Sequence, residues 1–226
     1  MKLLLIRHGD PDYANDTLTP KGINQAQLLS QNLKHTQIDE IFISPMGRAK
    51  LTAEFTVRKK SNVKTEELLW LHELNGNYKD DLWAWNQHGC DLLWNVEEFT
   101  ACNWNDHVEF GQHMKSVSDG LFCEFDKFMA SQGFLKERNF YRIEEANDKT
   151  IVFFCHAGVI LTLLSYLLHI PLPVVYSQFM IDPSSVTSLI SEEKDGYCVF
   201  RLLNLNDTSH AQDQVASVRQ TGHFID

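Results

Sequence analysis

Four side chains suited to handling an anion and its protons stand where apolar segments of this chain end. Arg7 and His8 follow the aliphatic run Leu3 to Ile6, Arg48 follows the apolar segment EIFIS (residues 40–44), and His156 follows TIVFFC (150–155). A guanidinium pairs with two oxygens at once and keeps its charge at any working pH. A neutral imidazole offers a nucleophilic lone pair on one ring nitrogen when an acceptor holds the other. Gly9 is the expected source of that acceptor, because a glycine lets the backbone approach closely. Two arginines and two histidines gathered at one crevice describe a site for a tetrahedral dianion.

The elements that must gather them read as alternating strands and helices. Leu3 to Ile6 is a continuous apolar strand, of the kind buried on both faces of a parallel sheet. Thr19-Pro20 predicts an N-cap and a proline at the first helical position, followed by a helix with Ile23, Ala26, Leu29 and Leu33 on one face. Ser44-Pro45 repeats that cap-plus-proline start and places Arg48 in the first turn of the next helix. HAGVILTLLSYLLH (156–169) is apolar nearly all round, which predicts a deeply packed helix ended by Pro171. SVTSLI (185–190) and YCVFRLL (197–203) alternate as strands joined by the charged turn SEEKDG, and the last twenty residues read as a polar tail. The pattern predicts an α/β fold, a three-layer α/β/α sandwich with a mainly parallel sheet. Ligands in such sheets sit beyond the carboxyl ends of the strands, where the four residues fall.

Residues 66–109 differ in composition. All five tryptophans (Trp70, Trp83, Trp85, Trp94, Trp104) lie there. Between Lys79 and Lys115 there is no lysine or arginine but seven acids: Asp80, Asp81, Asp91, Glu97, Glu98, Asp106 and Glu109. Val117, Leu121, Phe125 and Phe128 follow at helical spacing, with Gly133 as the stop. The expected organisation is one domain over 1–226 with an inserted Trp-rich cap lobe at about 66–135.

Composition narrows the function. A formal charge of −10 over 226 residues argues against nucleic acid as a partner. The five cysteines have no C-x-x-C spacing and the histidines form no H-x-x-x-H pair, so no metal site is expected and the thiols read as reduced. Cys155 precedes His156, but neighbours along a strand point to opposite faces, which argues against a cysteine–histidine nucleophile pair. The run Leu3 to Ile6 is too short for a signal-peptide core, and Val159 to Leu168 is too short to cross a bilayer. A soluble cytoplasmic protein without membrane partners is expected; the sequence sets no oligomeric state.

LIRHG (5–9), SPMGRAKLTAE (44–54), HEL (72–74) and FFCHAGVI (153–160), in this order, resemble the histidine phosphatase superfamily, in its phosphoglycerate mutase-like branch (branch 1). The resemblance spans residues 1 to about 205, and Ala157, where the other branch has an aspartate, separates the two. It implies His8 as nucleophile, forming a phosphohistidine that water hydrolyses, with no cofactor and no metal. Arg7, Arg48, His156 and Ala157 would hold the phosphoryl oxygens. Glu73 would protonate the leaving group, its pKa raised by the nearby Trp70 and Leu74, with Asp10 as the rival acid. Asn15 would be a further phosphate contact, one residue later than the family spacing.

A mutase handling bisphosphorylated sugar acids needs extra cations over the site, and the stretch 80–114 has none. The expected activity is therefore that of a phosphomonoesterase acting on a small phosphorylated substrate that is neutral, apolar or cationic outside its phosphate. The tryptophans would suit an aromatic or nucleoside-like body, although packing in a lobe core is the other reading of them. Candidates are an α-ribazole-type phosphatase, a broad-specificity monoesterase, and a protein phosphohistidine or phosphotyrosine phosphatase, whose usual small open site fits the lobe poorly. The alternatives are a phosphoglycerate-type mutase and a non-catalytic phospholigand-binding scaffold.

Overall fold

A computed structural model describes residues 1–79, 82–94, 103–106 and 111–211. Its chain begins with strand β1 (Lys2–Arg7), a small hairpin of β2 (Pro11–Asp12) and β3 (Thr17–Leu18), and helix α1 (Pro20–Asn32). The expected cap is present: the Thr19 hydroxyl accepts the Gly22 N–H at 3.1 Å, with Pro20 opening the helix. Strand β4 (Glu40–Ile43), helix α2 (Gly47–Lys59) and the exposed strand β5 (Lys64–Glu67) follow.

The tryptophan-rich stretch carries a short pair, β6 (Asn77–Lys79) and β7 (Leu82–Trp83), and helix α3 (Gly89–Leu93). Helix α4 (Gly111–Ser131) leads into a hairpin of β8 (Phe134–Glu137) and β9 (Phe140–Ile143). Gly133, at φ +88°, makes the turn between helix and hairpin, a conformation open to glycine. Strand β10 (Thr150–Cys155) and helices α5 (Ala157–Leu168) and α6 (Leu172–Gln178) precede the long hairpin of β11 (Val186–Lys194) and β12 (Tyr197–Asp207).

Among the described residues one eight-stranded sheet runs in the order β5-β4-β10-β1-β11-β12-β9-β8. The first four strands are parallel, and the sheet continues from β1 into an antiparallel half. Alternate residues of the parallel strands feed two cores, as strands buried on both faces require. Leu3, Leu5, Phe42 and Phe153 pack with Phe125, Phe128 and Met129 of α4 and with Ile160 and Leu164 of α5. Leu4, Ile6, Ile41, Val152 and Phe154 pack on the other face with Leu29 of α1 and Ala53 of α2. The result is the three-layer α/β/α sandwich.

Some local expectations are corrected. SEEKDG is not a turn: Ser191 to Lys194 remain in β11, and only Asp195 and Gly196, both at positive φ, reverse the chain, as an Asp-Gly hairpin turn demands. Ser44 does not cap α2; Met46 occupies that position, and the Ser44 hydroxyl has another task. Within the stretch 66–135, α4 and Trp70 belong to the core beneath the sheet, with Trp70 against Phe125, Phe128 and Phe153. The polar tail falls mostly at 212–226, outside the described residues.

Candidate active site

The register of β1 against β10 sets His8 beside His156. Arg7 pairs with Cys155, and the His8 N–H donates to the Cys155 carbonyl at 3.0 Å, so the next residue of each strand leaves the same sheet edge. The two imidazole rings lie 5.1 Å apart, tilted by 59°.

His8 is 1% exposed. Its Nδ1 donates to the Gly9 carbonyl at 2.7 Å, which places the lone pair on Nε2. Burial, then Arg7 and then Arg48 hold its pKa well below 6.5, outweighing the Gly9 acceptor. The ring is therefore neutral and nucleophilic at neutral pH. A β-carbon on Gly9 would lie 2.7 Å from the Gly22 carbonyl oxygen, so only glycine allows this loop to press on α1.

His156 is fully buried, and its Nε2 lies 2.7 Å from the Ser44 hydroxyl. That hydroxyl also accepts the Met46 N–H at 3.3 Å. Nδ1 has no protein partner among the described residues. Burial, His8, Arg48 and Arg7, in that order, keep this ring neutral too.

Each arginine is braced on one side. Arg7 donates from Nη1 to the Ile181 carbonyl at 2.5 Å, and its N–H to the Ser185 carbonyl. Ser184, at φ +67°, gives its N–H to the His8 carbonyl and meets His210 Nε2 through its hydroxyl at 2.7 Å. Arg48 is buried; its Nη1 donates to Asp16 Oδ1 at 2.6 Å, while Asp16 Oδ2 accepts the Gly47 N–H at 2.6 Å. Burial pushes the Asp16 carboxyl up, but the Gly47 and Arg48 donors and the Arg48 charge outweigh it and bring it below its ordinary value. The Tyr13 ring lies 5.4 Å from the Arg48 guanidinium carbon. The Nε atoms of both arginines are buried without a protein partner among the described residues.

Glu73 sits against the first turn of α5. One carboxylate oxygen accepts the Leu74 N–H at 3.0 Å and the other the Gly158 N–H at 3.4 Å. Burial raises its pKa against the lowering influence of the Leu74 donor, Arg7, the Gly158 donor and Arg48. Met46 ties this region together, its sulfur lying 3.3 Å from Glu73 N and 3.4 Å from Arg48 Nη2.

Arg7, His8, Arg48, Glu73 and His156 thus come together, with Ala157 opening α5 beside them. Asp10 and Asn15 do not join them. The Asp10 carboxylate accepts the Thr19 hydroxyl at 2.6 Å and its N–H goes to Gln25, so it holds the start of α1. Asn15 is exposed and bonds Asp12 at 2.8 Å, because the turn directs its neighbour Asp16, at φ +47°, toward Arg48 instead. Sequence reasoning missed Asp16, Ser44 as a histidine partner, Met46, and the Ile181–Ser185 brace. Ser44 alone carried a signal, in its place directly after an apolar strand.

Asp16→Ala is expected to lower kcat/KM about 10- to 100-fold through a misplaced guanidinium, mostly in KM, with Asp16→Asn in between. Steady-state kinetics on both variants check it; an unchanged KM in Asp16→Ala would remove Asp16 from this role.

This arrangement gathers two guanidiniums, two imidazoles whose pKa values are lowered and a buried carboxyl group whose pKa is raised. The profile of the histidine phosphatase superfamily (branch 1) matches residues 3–88. An adenosylcobalamin/α-ribazole phosphatase from Salmonella typhimurium is 24% identical over 216 residues, covering 90% of this chain and 96% of that protein. A probable phosphatase from Schizosaccharomyces pombe is 25% identical, covering 71% and 70%. The crystal structure of a phosphoserine phosphatase mutant from Entamoeba histolytica in complex with phosphoserine shares the fold at a TM-score of 0.61 and 21% identity, covering 93% of this chain and 98% of that one. A mycobacterial glucosyl-3-phosphoglycerate phosphatase in complex with VO3 does so at 0.62 and 19%, covering 91% and 98%. The matched segment 3–88, which carries Arg7, His8, Arg48 and Glu73, is thus similar to the histidine phosphatase superfamily, branch 1.

Proposed function

We propose that the protein is a phosphomonoester hydrolase that passes the phosphoryl group through His8. The observation that carries this reading is the His8 Nδ1 bond to the Gly9 carbonyl in a ring kept neutral between Arg7 and Arg48. Nε2 attacks phosphorus, and the bond from phosphorus to the ester oxygen breaks as that oxygen takes the proton of Glu73. Arg7, Arg48 and His156 stabilise the charge on the phosphoryl oxygens in transit, so the step calls for no metal ion. Water then attacks phosphorus, gives its proton to the Glu73 carboxylate, and the nitrogen–phosphorus bond breaks to restore His8.

The composition of residues 80–114 favours hydrolysis of an ester that is neutral, apolar or cationic outside its phosphate over mutase chemistry. No lysine or arginine occurs at 80–114, so that stretch offers a second phosphate no cation. Of the acids there, Asp91 is exposed in the first turn of α3, whereas Asp80, Asp81, Glu97, Glu98 and Glu109 lie outside the described residues. In this reading the cap lies within the stretch 66–135, apart from Trp70 and α4. The names of the relatives support a small phosphorylated metabolite as substrate. The described cysteines are free, as a cytoplasmic, reducing setting requires, and no described helix is long and apolar enough to cross a membrane.

A side-by-side kinetic panel with EDTA present tests the reading. Monophosphates of uncharged alcohols should exceed bisphosphoglycerate and fructose bisphosphate in kcat/KM. A bisphosphate as best substrate would establish the mutase-like alternative, and tight binding of an intact ester without turnover the scaffold.

A further inference from the structure

We propose that Trp83 and Trp85 form the platform on which the leaving group lies, so that the site selects phosphomonoesters whose alcohol carries a planar, uncharged ring. The proposal rests on the hydrolase reading and adds to it the face that recognises the substrate body.

The place of the leaving group follows from Glu73. The oxygen that it protonates must come within hydrogen-bond reach of its carboxylate. A β-carbon built on Gly158 would stand 2.7 Å from Glu73 Oε1 and 2.6 Å from Cη2 of Trp85. The carboxylate and the indole edge therefore lie side by side on the first turn of α5, which sets the leaving group next to Trp85. Trp83 stacks on Trp85 with ring centres 5.4 Å apart and planes within 8°. Behind them the Tyr176 ring meets Trp85 edge-on at 5.8 Å, and its hydroxyl is fixed to Thr162 at 2.6 Å. The stack is thus anchored at its inner end and leaves Trp83 38% exposed.

The other tryptophans are placed differently. Trp70 and Trp104 are packed into the core away from Glu73, whereas Trp85 packs against the core beside it, and Trp94 is 84% exposed on the end of α3. An indole face continuous with the general acid, in a stretch without basic residues, fits a ring that stacks and carries no second anion.

The test compares benzyl phosphate with cyclohexylmethyl phosphate, whose alcohols are both primary and of similar bulk. The readout is the ratio of their kcat/KM values in the wild type, Trp83→Ala, Trp83→Phe and Trp94→Ala. The wild type should favour the benzyl ester about tenfold, Trp83→Ala should bring the ratio close to one, and Trp83→Phe should keep most of it. Trp94→Ala should keep the wild-type ratio. Equal rates in the wild type, or a ratio that survives Trp83→Ala, would overturn the platform while leaving the hydrolase intact. If the wild type hydrolysed neither ester, the hydrolase reading would fall and the platform with it.

Discussion

His8→Ala is expected to lower kcat by at least about 10³-fold on every ester tested, with KM changed far less. The side chain makes the covalent bond in this mechanism, and no neighbour can replace it. The His156 ring centre is 5.1 Å away, but its Nε2 is held by the Ser44 hydroxyl. Arg7 and Arg48 keep their own braces on Ile181 and Asp16, so the variant should still bind an intact ester. Stopped assays for turnover and calorimetry for binding check both halves. Residual turnover within tenfold of the wild type would remove His8 from the covalent role.

Glu73→Gln is expected to lower kcat/KM for alkyl phosphates by about 10²- to 10⁴-fold, and far less for p-nitrophenyl phosphate. The contrast follows from the leaving groups, because an alkoxide needs a proton as it departs and p-nitrophenolate does not. The pH profile carries the same information. Burial raises the Glu73 pKa, so the acid form persists toward neutral pH and activity on alkyl esters falls as the proton is lost on the basic side. The His8 pKa is lowered, so the neutral nucleophile persists below the ordinary imidazole range and the acid limb lies beneath it. Glu73→Gln should therefore remove the basic limb and retain the acid one. Equal losses on both ester classes with the basic limb unchanged would assign the proton to another group.

Much of the site was legible because strands deliver their last residues to one edge. Arg7, His8 and His156 each follow an apolar run, and a parallel register brings such ends together whatever the intervening chain does. Arg48 followed from its place in the first turn of α2. Asp16 was not legible. Its contact with Gly47 and Arg48 joins residues more than thirty positions apart through a turn in which Asp16 adopts φ +47°, and the same turn leaves Asn15 on Asp12. The choice between those neighbours is made by backbone geometry that composition does not encode.

The fold divides in the same way. The α/β layers followed from runs such as TIVFFC and from the apolar face of α1, whereas the β8–β9 hairpin, FLKE and FYRI, mixes charged and apolar residues and was not read. Long-range pairing with β12 sustains it rather than its own pattern. The tryptophans share one stretch but divide into Trp70 and Trp104 in the core, Trp85 beside Glu73 with Trp83 stacked on it, and Trp94 on the surface, a partition set by tertiary packing.

In this mechanism His8 carries the phosphoryl group between ester and water. The direct measurement is a single-turnover quench into base, where phosphohistidine survives, with substrate labelled in its phosphate and peptide mapping of the protein. Label on the His8 ring that rises and decays with product formation, and is absent from His8→Ala, is the predicted result. Full turnover with no label on the protein, or with label on another residue, would contradict the account.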